Sequence, residues 1–199
     1  MGGERDEEAF ARLRRAALPL FASLGYDGTD TRMIADAAGV PREVVIAAGG
    51  RRALYLAIVD TYYREQIAAL DEIAEGFTPD EPGVRRLLEG MLEFYLDHIP
   101  EISIWQHRYL RDAADLIDID SAYRQPMFHR IADLLGPEIT DRIDVPMVFS
   151  IVSWSLRGFL SEGIVRPDGS ALGAETPAGQ LRFRSYLPHL TSLFFAKDP

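Results

Sequence analysis

The stretch Thr29-Asp30-Thr31-Arg32-Met33-Ile34-Ala35-Asp36-Ala37-Ala38-Gly39-Val40-Pro41-Arg42-Glu43-Val44-Val45-Ile46-Ala47-Ala48-Gly49-Gly50 decides how the chain is read. Thr29 or Asp30 can cap a helix that starts at residue 31. Ile34, Ala35 and Ala38 recur there at helical spacing, and Gly39 supplies the stop. Val40 and Pro41 open a further helix, because proline's fixed φ and missing N–H suit a first helical position. That helix runs from 42 to about 48 and ends at Gly49-Gly50. Two short helices joined by a glycine-punctuated turn, with a longer helix before them, describe a helix-turn-helix. In such a motif the earlier helices brace the last one, which lies in a DNA major groove.

Upstream, Phe10, Leu13, Ala17, Leu20, Phe21 and Leu24 line one face of a first helix that ends at Gly25. Pro19 lies inside it and should kink or locally disturb it. Downstream, a long fourth helix from about 51 to 75 carries Leu54, Ile58, Tyr62, Leu70 and Ile73 on its inner face. Gly76 and the run 78–83, rich in Pro, Asp and Gly, break the pattern. Five further helices are predicted over 84–98, 101–116, 121–135, 145–165 and 177–195. The segment 145–165 is apolar nearly all round and should be buried on several sides. Residues 166–175 read as a loop or arm, and no alternating strand pattern of any length is present. The expectation is an all-α fold of about nine helices. It places a helix-turn-helix DNA-binding domain over 1–55, and a helical ligand-binding and dimerisation domain over 56–199.

Composition narrows the function. The 199 residues include no Cys, which excludes a disulfide framework, a thiolate metal site and a cysteine nucleophile. This suits a reducing cytoplasm, the expected location. Net charge is −10, but it is unevenly spread. Residues 1–60 carry eight Arg against nine acidic residues, so the head is nearly neutral, and the remainder holds the acidic excess. His98, His107, His129 and His189 show no metal-ligand spacing, so no metal is expected. Asp112, Asp115, Asp118 and Asp120 read as a solvated helix end. No nucleophile elbow, phosphate-cradling glycine loop or dinucleotide fingerprint is present. The chain therefore reads as a non-enzyme without a cofactor, and no stretch is long enough to cross a bilayer.

The runs Leu20-Phe21-Ala22-Ser23-Leu24-Gly25-Tyr26-Asp27-Gly28-Thr29 and Thr31-Arg32-Met33-Ile34-Ala35-Asp36-Ala37-Ala38-Gly39-Val40, with Ala53-Leu54-Tyr55 opening a long helix, resemble the TetR family of bacterial transcriptional regulators. The resemblance covers residues 9–62. It implies a homodimer whose heads bind palindromic operators and whose larger C-terminal domains hold a small-molecule pocket. It also implies dimerisation through the last two helices, and release of DNA when ligand shifts the spacing of the heads. The third helix departs from the family pattern. It is about one residue short, Ile46 stands where a phosphate-touching Tyr is usual, and Ala48-Gly49 stand near the place of a usual Phe.

Candidate DNA contacts follow from side-chain chemistry. Arg42 can reach guanine or a phosphate, Glu43 can accept from cytosine, and Val44, Ile46 or Ala47 can meet thymine methyls. Thr29, Arg32, Arg42, Arg51 and Arg52 are candidate phosphate anchors. Arg14 and Arg15 read as solvated. For an apolar cavity with a few polar groups, the resemblance points to Tyr95, Trp105, His107, Tyr109, Phe128 and Trp154. For the dimer interface it points to Leu156, Phe159 and Leu160, with Leu187, Leu190 and Phe194 opposite. The expected partners are double-stranded DNA, an unidentified small-molecule effector and a second copy of the chain, with no membrane. The alternative is a dimeric small-molecule-binding or protein-interaction protein whose helix-turn-helix does not read DNA.

Overall fold

In the computed structural model, residues 2–116 and 118–195 are described. The first helix, α1 (Gly2–Leu24), continues through Pro19 and buries Leu13, Ala17 and Phe21 at the spacing read from the sequence. It stops at Gly25, whose φ of 73° is left-handed. Then come α2 (Thr31–Ala38), α3 (Arg42–Ala47) and α4 (Gly50–Ala74). Pro41 is the cap of α3 rather than its first residue, with an extended backbone (φ −61°, ψ 147°).

The chain divides into two compact units that no single cut between residues 55 and 56 would produce. The first unit holds 1–65 together with 98–117, and so includes α6 (Ile99–Tyr109). In it α1 packs against α2 and α6, and α2 against α3. Its core combines Leu13, Ala17, Phe21, Tyr26, Ile34, Val45, Leu54 and Tyr55. Tyr55 receives the edges or faces of two rings, Phe21 at 5.2 Å and Tyr26 at 5.0 Å, in the tilted geometry that the ring quadrupole favours. The sixth helix ends at Tyr109 instead of running to 116. Arg111 and Ala113 are left-handed there, with φ of 69° and 56°, and this ends the helical path.

The second unit holds 66–97 and 118–199. It contains the end of α4, α5 (Glu81–Asp97), a π-helical turn over Asp120–Arg124 that leads into α7 (Gln125–Leu135), α8 (Pro137–Thr140), α9 (Val145–Glu162) and α10 (Pro177–Phe195). Asp80 opens α5 by accepting the Gly83 N–H at 2.7 Å and the Thr78 hydroxyl at 2.6 Å. These bonds, the Thr78 one foremost, hold its carboxyl below the ordinary range. The fifth helix packs against α10. Leu70, Leu87, Met91, Leu92, Leu135, Ile139, Leu156, Phe159 and Leu187 form the core.

Two features correct the sequence reading. The four-residue α8 adds a tenth helix among the described residues. The ninth helix stops at Glu162, where Gly163 takes φ 71°, and residues beyond it form a hairpin. In the hairpin β1 (Ile164–Val165) pairs antiparallel with β2 (Ala171–Leu172). Its turn is closed by Arg166 N–H donating to Ser170 O at 2.8 Å, and by Asp168 accepting from the Ser170 N–H and hydroxyl. Strands of two residues are too short to show an alternating pattern.

Candidate nucleic-acid interface

The helix-turn-helix is built by local hydrogen bonding at each end of α2. Asp30 Oδ1 accepts the N–H groups of Arg32 at 2.7 Å and Met33 at 2.9 Å, which satisfies two orphan donors of the first turn. The Met33 bond is the main reason that the Asp30 carboxyl titrates below its ordinary value, and the charges of Arg42 and Arg32 add to it. At the other end Gly39 is left-handed (φ 66°), and Val40 N–H returns to Ala35 O at 3.0 Å. That bond reverses the chain and delivers α3.

Val45 is the buried anchor of α3. At 100° per residue, Glu43 and Ala47 lie opposite it, with Ile46 and Val44 to either side. Arg42, Glu43, Val44, Ile46 and Ala47 are all exposed, Ile46 at 54% and Val44 at 39%. The five are thus exposed around α3, Glu43 and Ala47 opposite Val45, Val44 and Ile46 on its two flanks, and Arg42 at the start of the helix on the Ile46 side.

The phosphate candidates separate. Arg32 and Arg52 are exposed, and Arg32 pairs with Asp36 at 3.9 Å on the surface of α2. Thr29 is fully buried, and its hydroxyl donates to Gly25 O at 2.7 Å, so it serves the turn and has no surface to offer DNA. Arg51 also turns inward. Its Nη1 donates to Tyr26 O and Thr29 O, each at 3.0 Å, and its guanidinium lies 4.2 Å from the centre of the Tyr26 ring. A cation at a helix N-terminus is electrostatically unfavourable, and here two carbonyls and a ring face offset that. Arg14, expected in solvent, is half-buried and donates to the Thr61 hydroxyl.

A second set of bonds ties α6 to the end of α1. Asp112 accepts the N–H of Tyr26 through Oδ2 and that of Asp27 through Oδ1, both at 2.8 Å. Ala113 N–H returns to Asp27 Oδ2 at 3.2 Å, and Ala113 O accepts from Arg108 Nη1 at 3.1 Å. A left-handed alanine costs about 1 kcal/mol, and these two bonds hold Ala113 in that conformation. His107 Nε2 donates to Ala22 O at 3.0 Å, so this ring is engaged on α1 rather than set aside for a ligand. Asp112 was legible only as an acidic residue near three others. Its partners lie 85 and 86 residues away, and no local pattern marks them.

The remaining pocket candidates are distributed. Trp105 and Tyr109 belong, with His107, to the first unit, while Tyr95, Phe128 and Trp154 belong to the second. Trp105 is half-buried and Tyr109 exposed. Tyr95 accepts from Gln66 Nε2 at 3.0 Å, and Phe128 meets Phe149 edge-on at 5.4 Å. Trp154 is 58% exposed on α9. Of the interface candidates, Leu156, Phe159 and Leu187 are buried in the core of their own chain, Phe159 stacked on Phe183 at 4.3 Å. A side chain spent in that way leaves little for a partner. Leu160, Leu190 and Phe194 are half-buried. Exposed apolar residues on these helices include Met147 and Trp154, seven apart on α9, and Leu181, Tyr186 and Leu193 on α10, the last two seven apart.

No family model and no curated protein sequence matches the chain. Solved structures do. A bacterial regulatory protein of the TetR family from Rhodococcus RHA1 is 16% identical, covers 96% of this chain and 98% of its own, and superposes with a TM-score of 0.68. The ketosteroid transcriptional regulator KstR2 of Mycobacterium tuberculosis is 19% identical over 94% of this chain and 95% of its own, with a TM-score of 0.68. The fatty acid degradation regulator FadR from Bacillus halodurans is 14% identical over 94% and 95%, with a TM-score of 0.67.

The fold is that of TetR-family regulators. At these identities the likeness speaks for the fold alone. Within this TetR-like fold, α1 to α3 are the helix-turn-helix head, and α9 and α10 are the last two long helices. Among the described residues no helix is long and apolar enough to cross a membrane, and no cluster of three or more metal-ligating side chains occurs.

Proposed function

We propose that the chain is a homodimeric, TetR-like transcriptional repressor that leaves its operator when a small-molecule effector binds the helical body. The observation that carries this reading is the outward face of α3. Five exposed side chains stand on a helix whose one buried residue, Val45, anchors it to a hydrogen-bonded scaffold. A scaffold that holds a short helix outward at fixed orientation is what major-groove insertion requires. Arg42 and Arg52 supply exposed cations for base edge and phosphate, and Arg32 supplies a third.

Dimerisation is assigned to the exposed apolar residues of α9 and α10, Met147, Trp154, Tyr186 and Leu193. Two-fold pairing would cover them and set two heads on two half-sites of a palindrome. The effector would act only by binding one arrangement of the dimer better than the other. The test is selection of genomic fragments by the purified protein at two salt concentrations, with its dimeric state checked by light scattering. Recovery of a palindrome, bound more weakly at higher salt, supports the reading. Folded, dimeric protein that enriches no sequence overturns it in favour of a dimer that does not read DNA.

A further inference from the structure

We infer that α3 reads its half-site chiefly through the C5-methyl groups of thymine, with Arg42 as the one side chain of the helix that donates to a base edge. This rests on the DNA-binding reading above and specifies what is read.

The exposed residues of α3 lack most of the groups that read bases by hydrogen bonding. In the major groove adenine presents an acceptor and a donor side by side, guanine two acceptors, cytosine a donor, and thymine an acceptor and a methyl group. Adenine is read best by Asn or Gln, and α3 has neither. Val44, Ile46 and Ala47 carry no side-chain donor or acceptor, yet they are three of the five exposed residues of α3. Glu43 only accepts, so it matches the cytosine amino group and is repelled by the acceptors of guanine. Arg42 alone donates, from the first residue of the helix, where its charge also acts on the Asp30 carboxylate. An A·T pair facing Val44, Ile46 or Ala47 can therefore be told from G·C only by its methyl group.

The burial pattern agrees. A hydrophobic side chain facing water, like Ile46, gains by meeting an apolar partner, and the thymine methyl is the apolar group that the major groove offers. One buried methyl is worth about a fourfold change in affinity at room temperature.

The experiment begins with selection of duplexes from a random library by the full-length protein. In the recovered operator each thymine of a half-site is then replaced singly by deoxyuridine, which removes only the C5-methyl group. Expected is a weakening of about fourfold at each contacted position. In the Ile46→Ala protein, the thymine-to-uridine difference should vanish at one of those positions while it persists at others. Ile46 is exposed, so the variant should melt with the wild type, and this is checked on the same samples. An operator bound equally well with thymine or deoxyuridine throughout overturns the inference and leaves the DNA-binding reading standing. Recovery of no duplex by protein shown to be folded overturns both.

Discussion

Asp112 and Asp27 exchange backbone hydrogen bonds across 85 residues of sequence: Asp112 Oδ1 takes the Asp27 N–H at 2.8 Å, and Asp27 Oδ2 takes the N–H of the residue after Asp112 at 3.2 Å. With the bond from Tyr26, the Asp112 carboxylate satisfies two adjacent donors at the exit of α1. Bonds to a charged acceptor are worth about 1.5–3 kcal/mol each when well buried, and this site is only partly so. Asp112→Ala should therefore lower stability by about 1–3 kcal/mol, measured by denaturant melting. Asp112→Asn, which keeps one acceptor oxygen, should fall between the two. Equal stability of Asp112→Ala and wild type would show the pair to be idle.

Adjacent arginines at the start of α4 should behave oppositely. Arg51→Ala removes two bonds to carbonyls and a ring contact. It should cost about 1–3 kcal/mol of stability, with the salt dependence of DNA binding unchanged. Arg52→Ala removes an exposed cation. It should leave melting unaltered and reduce the slope of log affinity against log salt by about 0.9 per protomer. A pair of titrations at several salt concentrations separates them, and interchange of the two patterns would refute the assignment.

Protonation of Asp30 should weaken the cap of α2. Its folded-state carboxyl titrates below the ordinary value of 3.8, chiefly through the Met33 N–H. A depressed folded value means that the contribution is fully present above the ordinary value and is lost as pH falls through the folded one. The stability difference between wild type and Asp30→Ala should thus be constant at neutral pH and shrink below about pH 4. Thermal melts across that range read it directly. A difference that grows on acidification would mean that the carboxylate does not cap.

The two classes of apolar residue on α9 and α10 make separable claims. Trp154→Asp or Tyr186→Asp should convert a dimer to a folded monomer in light scattering, because both side chains are exposed on the single chain. Phe159→Ala and Leu187→Ala should instead destabilise by about 2–5 kcal/mol, since each leaves a cavity in the core. Dimers that survive both charge substitutions would move the interface elsewhere.

How far the sequence could be read depended on the range of the interactions involved. The second helix was legible to its ends because its cap, its apolar spacing and its terminal glycine lie within ten residues. The buried face of α1 was legible for the same reason, and Pro19 did not break it. Thr29 and Arg51 look in sequence like surface phosphate ligands, yet each is bonded to the turn after α1. Thr29 is buried by its bond to Gly25, and Arg51 is half-buried on Tyr26. Leu156, Phe159 and Leu187 are covered by their own chain, which periodicity could not show, because it finds an apolar face without saying whether its cover is the same chain or another. The hairpin after α9 had no signal to find, as two residues per strand make no pattern.

The bond from Tyr26 to Asp112 has a consequence for how the protein is made. A nascent chain translated through residue 55 already contains every helix of the head except the one that closes its turn. At roughly 5–20 residues per second, the ribosome needs about 3–11 s more to supply Asp112. During that interval the N–H groups of Tyr26 and Asp27 face water, and the loop closure that will engage them has not been made. The helix-turn-helix head is thus finished late in synthesis, after the start of the helical body has been translated. A ribosome that stalls between α4 and α6 leaves a head without its last strut.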